Sequence, residues 1–218
     1  MSLRKITALL FALLLLLAAC SGESAEEKIH THLEETVTLE EDFKAQQTEI
    51  TALEEQEQEL YSQIIELGMD DFEEITKLSK KAQSIIDERA DKINLEQESI
   101  HNAKEEFETI EELITNLEEE KVKTKGEEMY QTMMERYATY DELNDAYTAS
   151  LDLEKELYGL LQQEDAERET LNEHIEKINA SYETILDANE QFNELTVAYN
   201  DLKQEFYDAA QLTVTTEE

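Results

Sequence analysis

The chain has 218 residues, with 55 acidic and 18 basic side chains and a formal charge of −37. That balance excludes a nucleic-acid binder, because phosphate recognition needs a basic patch, and it disfavours electrostatic docking on an anionic membrane. Four glycines, no proline, no tryptophan and abundant Glu, Leu, Ala, Gln and Lys exclude a turn-rich β-sandwich and point to long helices.

The chain opens Met1-Ser2-Leu3-Arg4-Lys5, continues as an apolar run from Ile6 to Ala19, and then reaches Cys20, its single cysteine. A bilayer span needs roughly 20 apolar residues, so this shorter run is expected to be a secretory signal, residues 1–19, and not a permanent membrane helix. Leu17-Ala18-Ala19-Cys20 resembles the bacterial lipobox. The resemblance implies cleavage between Ala19 and Cys20 and a diacylglycerol on the Cys20 sulfur, which then holds the mature N-terminus to the membrane. Arg4 and Lys5 leave with the signal and no acid does, so the mature chain is more acidic still. With Cys20 lipidated, disulfides, cysteine–zinc sites and thiol catalysis are excluded. Residues 20–27 are expected to be the lipidated N-terminus and a short tether, with Gly22 for flexibility.

Leu39, Phe43, Ile50, Leu53, Leu60, Ile64 and Leu67 follow the 3–4 spacing of a helical seam, with Gln46 and Glu57 at skipped seam positions. The pattern stops at Leu67-Gly68-Met69-Asp70-Asp71. Gly68 suits the left-handed residue after a helix, and Asp70 or Asp71 suits the cap of the next one. In the second segment Ile86, Ile93, Ile100, Phe107 and Ile114 recur every seven residues, joined by Ala103, Ile110 and Leu117 and interrupted by Arg89 and Glu96. Lys121, Lys123 and Lys125 are placed to complement that helix's C-terminus, and Gly126 is expected to break the run. A third helix from near Glu127 carries an aromatic stripe, Tyr130, Met133, Tyr137, Tyr140 and Tyr147, and ends in Leu157–Leu161. Beyond the polar residues 162–165, with Asp165 as a candidate cap, a fourth stripe runs from Leu171 through Ile178, Tyr182, Phe192 and Tyr199 to Phe206. Nothing at 162–165 forbids one continuous helix. Residues 213–218 lose periodicity and are expected to fray.

Four amphipathic segments of roughly 35–50 residues, each about 55–75 Å long at 1.5 Å per residue, are joined by short turns. Short turns force antiparallel neighbours, and a seven-residue period favours left-handed packing. The expected fold is all-α: one domain, residues 28–212, built as an elongated antiparallel up-and-down bundle of about four long helices with coiled-coil-like packing. A parallel coiled-coil oligomer is the rival arrangement, and the sequence leaves the oligomeric state open.

Three stretches carry a more specific likeness. They are Asp87-Glu88-Arg89 with Glu96 to Phe107, Met134-Glu135-Arg136-Tyr137-Ala138-Thr139-Tyr140 with Tyr147, and Glu154 to Tyr158 with Ile175-Glu176-Lys177-Ile178-Asn179, Tyr182 and Tyr199-Asn200. In these the chain resembles the YkyA-like cell-wall-binding lipoproteins of Gram-positive bacteria. The resemblance implies a surface lipoprotein with a long-helix bundle, and it brings no catalytic residues.

Residue chemistry adds little that is catalytic. His30 and His32 stand two apart, which on a helix points them to different sides. With Glu34 and Glu35 they make a poor zinc set, and His101 and His174 lie alone. Runs such as Glu118-Glu119-Glu120 spread their carboxylates along a helix instead of converging them as a cation site requires. There is no phosphate loop, nucleophile elbow or His-Glu-x-x-His. Tyr130, Tyr137, Tyr140 and Tyr147 fit either core packing, with hydroxyls at the edge, or a stacking surface for sugar rings. The expected function is therefore non-enzymatic, with no cofactor and no metal. It is a lipid-anchored protein on the extracytoplasmic face of the cell membrane, with peptidoglycan, a wall polymer or an envelope protein as partner. The alternative is a scaffold that positions a wall enzyme without touching the wall. A metal-dependent envelope enzyme is the third reading.

Overall fold

A computed structural model describes residues 23–212, and no strand occurs among them. The helices are α1 (Ala25–Leu39), α2 (Glu41–Glu66), α3 (Phe72–Glu108), α4 (Ile110–Thr115), α5 (Glu120–Leu160) and α6 (Arg168–Ala210), with a 3₁₀ turn at Met69–Asp71 before α3. They form four arms, α1–α2, α3–α4, α5 and α6. Cross-arm pairs such as Gln47–Glu96, Gln97–Asn144 and Arg136–Thr196 show that neighbouring arms run antiparallel. This is the up-and-down bundle that the seven-residue period implies. The arms lie in the order first, second, third, fourth, and the first and fourth touch through side chains at Phe43–Phe192 and His30–Tyr207.

Burial follows the seams. Ile86, Ile93, Ile100, Ala103, Phe107, Ile110 and Ile114 are all buried. One apolar core surrounds Ile29, Leu33, Phe107, Met129, Tyr137, Tyr140 and Phe206, and a second surrounds Ile64, Ile75, Leu78, Ala82, Ile86, Leu151 and Tyr158. The larger core is aromatic, with Phe107 stacked on Tyr130 at 5.5 Å and edge-on to Tyr137 and Tyr199. Such pairs add to burial through ring electrostatics. Both ends of the described segment sit beside this core, where Glu23, Glu27 and His30 face Gln211 and Leu212.

Several boundaries differ from the sequence expectation. Ser24 caps α1 in a reciprocal box with Glu27, so residues 25–27, expected in the tether, belong to its first turn. Gly68 is extended at φ −99°, not left-handed, and Asp71 precedes α3 without a side-chain cap bond. Gly126 does not break a helix. It lies inside α5 where a Cβ would meet Ile114 at 3.2 Å, so glycine serves close approach of two helices. The break falls earlier, at Asn116–Glu119, and Lys121, Lys123 and Lys125 open α5 instead of closing the previous helix. Lys123 still reaches back across the turn, donating to the Thr115 carbonyl at 2.9 Å. Helices three and four are separate arms, and the residue that precedes α6 is Glu167, not Asp165.

The first arm bends at Glu40, where no glycine or proline marks the sequence. Ser99 on α3 satisfies the broken ladder from both sides. Its hydroxyl donates to the Leu39 carbonyl at 2.6 Å and accepts from the Phe43 N–H at 3.1 Å. From α5, Arg136 donates to both Glu40 carboxylate oxygens, at 2.8 and 2.9 Å, and to Thr196 at 2.8 Å, a bidentate charge-assisted arrangement.

Candidate functional site

Lipobox residues Leu17, Ala18, Ala19 and Cys20 lie outside the described residues. Of the aromatic candidates, Tyr130, Tyr137 and Tyr140 are buried in the larger core. Tyr147 stands apart, because its hydroxyl enters a polar cluster between the two cores. His30 packs on the Tyr207 ring while His32 turns to Glu106 at 2.6 Å, so the two imidazoles diverge. His101 pairs with Asp141 at 3.2 Å. The buried His174 places Nε2 at 2.8 Å from the Leu153 carbonyl, tying the start of α6 to α5. Among the described residues, no group of His, Cys, Asp and Glu is arranged to hold a metal ion.

The polar cluster centres on Arg89, an interruption of the α3 seam. Its guanidinium donates to Glu57, to Glu154 at 2.7 Å, to Glu54 at 3.4 Å, and twice to the Tyr147 hydroxyl, at 3.1 and 2.8 Å. Those five bonds use all five guanidinium N–H donors. The Tyr147 hydroxyl donates in turn to Glu54 at 2.6 Å, and Glu154 accepts from Ser150 and Tyr182 at 3.1 and 2.7 Å. Burial and the neighbouring Glu154 charge push Glu57 up to about 7, against the opposing pull of Arg89. Its exposure is only 8 %. Burial likewise raises Glu96, the other seam interruption, to about 7, although Gln47 and Tyr140 donate hydrogen bonds to it.

A cleft of about 440 Å³ opens over this cluster. It exists because the first and fourth arms do not meet here. Glu54, Glu57 and Tyr61 of α2 form one wall, and Ile175, Asn179 and Tyr182 of α6 form the other. Arg89 of α3 and Glu154, Leu157 and Tyr158 of α5 form the floor. Its volume is within the usual range for small-ligand pockets, roughly 300–1,000 Å³. The heptad pattern marks Arg89 and Glu57 as seam interruptions and Tyr182 as a seam residue, but their convergence depends on the packing of four arms. Tyr182 is 41 % exposed, at the mouth of the cleft. Leu186 and Val197, absent from the sequence stripe, are more than half exposed on the outer face of α6.

These features define an all-α bundle protein with two apolar cores separated by a charged, tyrosine-rich cleft. Residues 24–209 match the YkyA family, described as "Putative cell-wall binding lipoprotein", and the chain belongs to that family. It is 34 % identical over 199 residues to the uncharacterized lipoprotein YkyA of Bacillus subtilis strain 168, covering 91 % of this chain and 89 % of that one. The fold is also similar to the crystal structure of a conserved protein of unknown function from Staphylococcus aureus. The TM-score is 0.74 at 19 % identity, covering 81 % of this chain and 88 % of the other.

Proposed function

We propose that the protein is a non-enzymatic, lipid-anchored component of the cell envelope that engages the wall through the cleft between α2 and α6. The observation that carries this reading is placement. Both ends of the described chain lie at one end of the bundle, next to the position from which Cys20 would be held. The cleft lies in the opposite half, about 30 helical residues or about 45 Å along the first arm at 1.5 Å per residue. A bundle tethered at Cys20 carries its cleft away from the bilayer. Among the described residues no helix is long and apolar enough to cross a membrane, and two acyl chains on one cysteine give the stable hold that a single chain does not.

Fractionation of a Cys20→Ala variant tests the anchor. The expected result is release to the medium or retention of the signal. Membrane association unchanged from the native protein would overturn it.

A second reading, a scaffold that holds an envelope protein, is favoured by one feature. Leu186 and Val197 border a shallow groove on the outward face of α6 with Asn189, Asn193 and Ala198, an arrangement suited to helix-in-groove contact.

A further inference from the structure

The cleft is a recess walled by α2 and α6 and floored by α3 and α5, and its donors and acceptors are unequally spent. Arg89 has no N–H left to offer a ligand, because Glu54, Glu57, Glu154 and Tyr147 take all five. An anionic ligand therefore finds no free charged donor on the floor. Three carboxylates share that single guanidinium, so the site carries more negative than positive charge and has acceptor lone pairs to spare. Glu54 is the one whose side chain remains well exposed, at 42 %, and it stands on the wall rather than the floor. Tyr61, Tyr158 and Tyr182 line the same space, and aromatic faces attract cations when water is excluded. A bare metal ion does not fit this arrangement, since the carboxylates are aimed at the guanidinium and not at a common empty point. The volume also suits a group of monosaccharide or aminoacyl size.

We propose that the cleft binds a protonated primary amine carried on a small neutral polar group, with Glu54 and Glu57 receiving the ammonium and Tyr61, Tyr158 and Tyr182 packing the remainder. This rests on the cleft being the wall-contact site, and it names what the wall would present there: an amino sugar or an aminoacyl ester. The strong negative charge of the chain draws such a ligand in.

The test is a titration of residues 21–218 near neutral pH, followed by the tyrosine ring resonances. The probes are glucosamine and alanine methyl ester, each against its N-acetylated, uncharged counterpart. The expected result is saturable binding of at least one amine, at least tenfold tighter than its acetylated form. Binding falls at least tenfold in Glu57→Gln, with helical content and Tm recorded to show that the variant is folded. It is lost in Asn179→Trp, which fills the cleft from its rim. Which of the two amines binds separates the amino sugar from the ester. Equal binding of charged and acetylated probes overturns the ammonium assignment. So does the absence of any binding while the native protein, but not Asn179→Trp, still sediments with wall material, and in that case the cleft remains the wall-contact site. Amine binding without wall sedimentation supports the assignment and removes the wall reading alone.

Discussion

Arg136 grips Glu40 through two parallel N–H···O bonds of 2.8 and 2.9 Å, joining the third arm to the bend of the first. The guanidinium also lies 4.4 Å from the Phe192 ring centre and is nearly buried. Lysine cannot reproduce a planar two-pronged contact or the stacking. Arg136→Lys should therefore lower stability by about 1–2 kcal/mol, and Arg136→Met by about 3 kcal/mol, since it leaves a half-buried carboxylate unpaired. Urea unfolding gives the magnitude, and faster amide exchange at Phe43 and Lys44 locates it at the bend.

Arg89→Met should be costlier, about 3–5 kcal/mol, because the buried Glu57 and Glu154 lose their shared cation. The loss should shrink when unfolding is repeated at pH 5, where Glu57 takes up a proton and relieves the repulsion. An equal loss at pH 5 and pH 8 would show that the carboxylates do not carry the effect.

Glu57 and Glu96 both titrate near 7 in the folded chain against an ordinary value of 4.5. Each holds more protons folded than unfolded across that interval. Their contribution is thus fully present below pH 4.5 and is lost as pH rises through 7. Ionising one such buried carboxyl costs roughly 3 kcal/mol. For a domain of this size that predicts a Tm at least about 5 °C lower at pH 8 than at pH 5. Glu96→Gln should raise the Tm at pH 8 and leave it nearly unchanged at pH 5, as scanning calorimetry would show.

Gly126 sits 3.2 Å, measured from an added Cβ, from Cγ1 and Cγ2 of Ile114 and 3.5 Å from the Phe206 ring. Alanine there should be close to neutral, because its gain of about 1 kcal/mol in helix propensity offsets a small shift of Ile114. Leucine should cost about 2–3 kcal/mol by overpacking. Paired urea curves for the two variants decide this.

The bundle was legible because burial on a helix repeats with the chain. Ile86, Ile93, Ile100 and Phe107 declare one face before any coordinate is known, and Arg89 and Glu96 mark where that face turns polar. The bend at Glu40 was not legible, since its cause is Ser99 and Arg136, distant in sequence. Gly126 misled for the same reason: its role is tertiary approach, which looks like a helix break when only neighbours in sequence are considered. The cleft was hidden because it depends on two arms failing to meet. No local pattern in α2 or α6 records that gap.

Wall contact through the cleft is tested by co-sedimentation of residues 21–218 with purified wall sacculi, comparing the native chain with Asn179→Trp, with and without magnesium. Saturable binding by the native protein and at least a tenfold loss in the variant are expected. No binding under any condition, or binding that the filled cleft leaves unchanged, would contradict it.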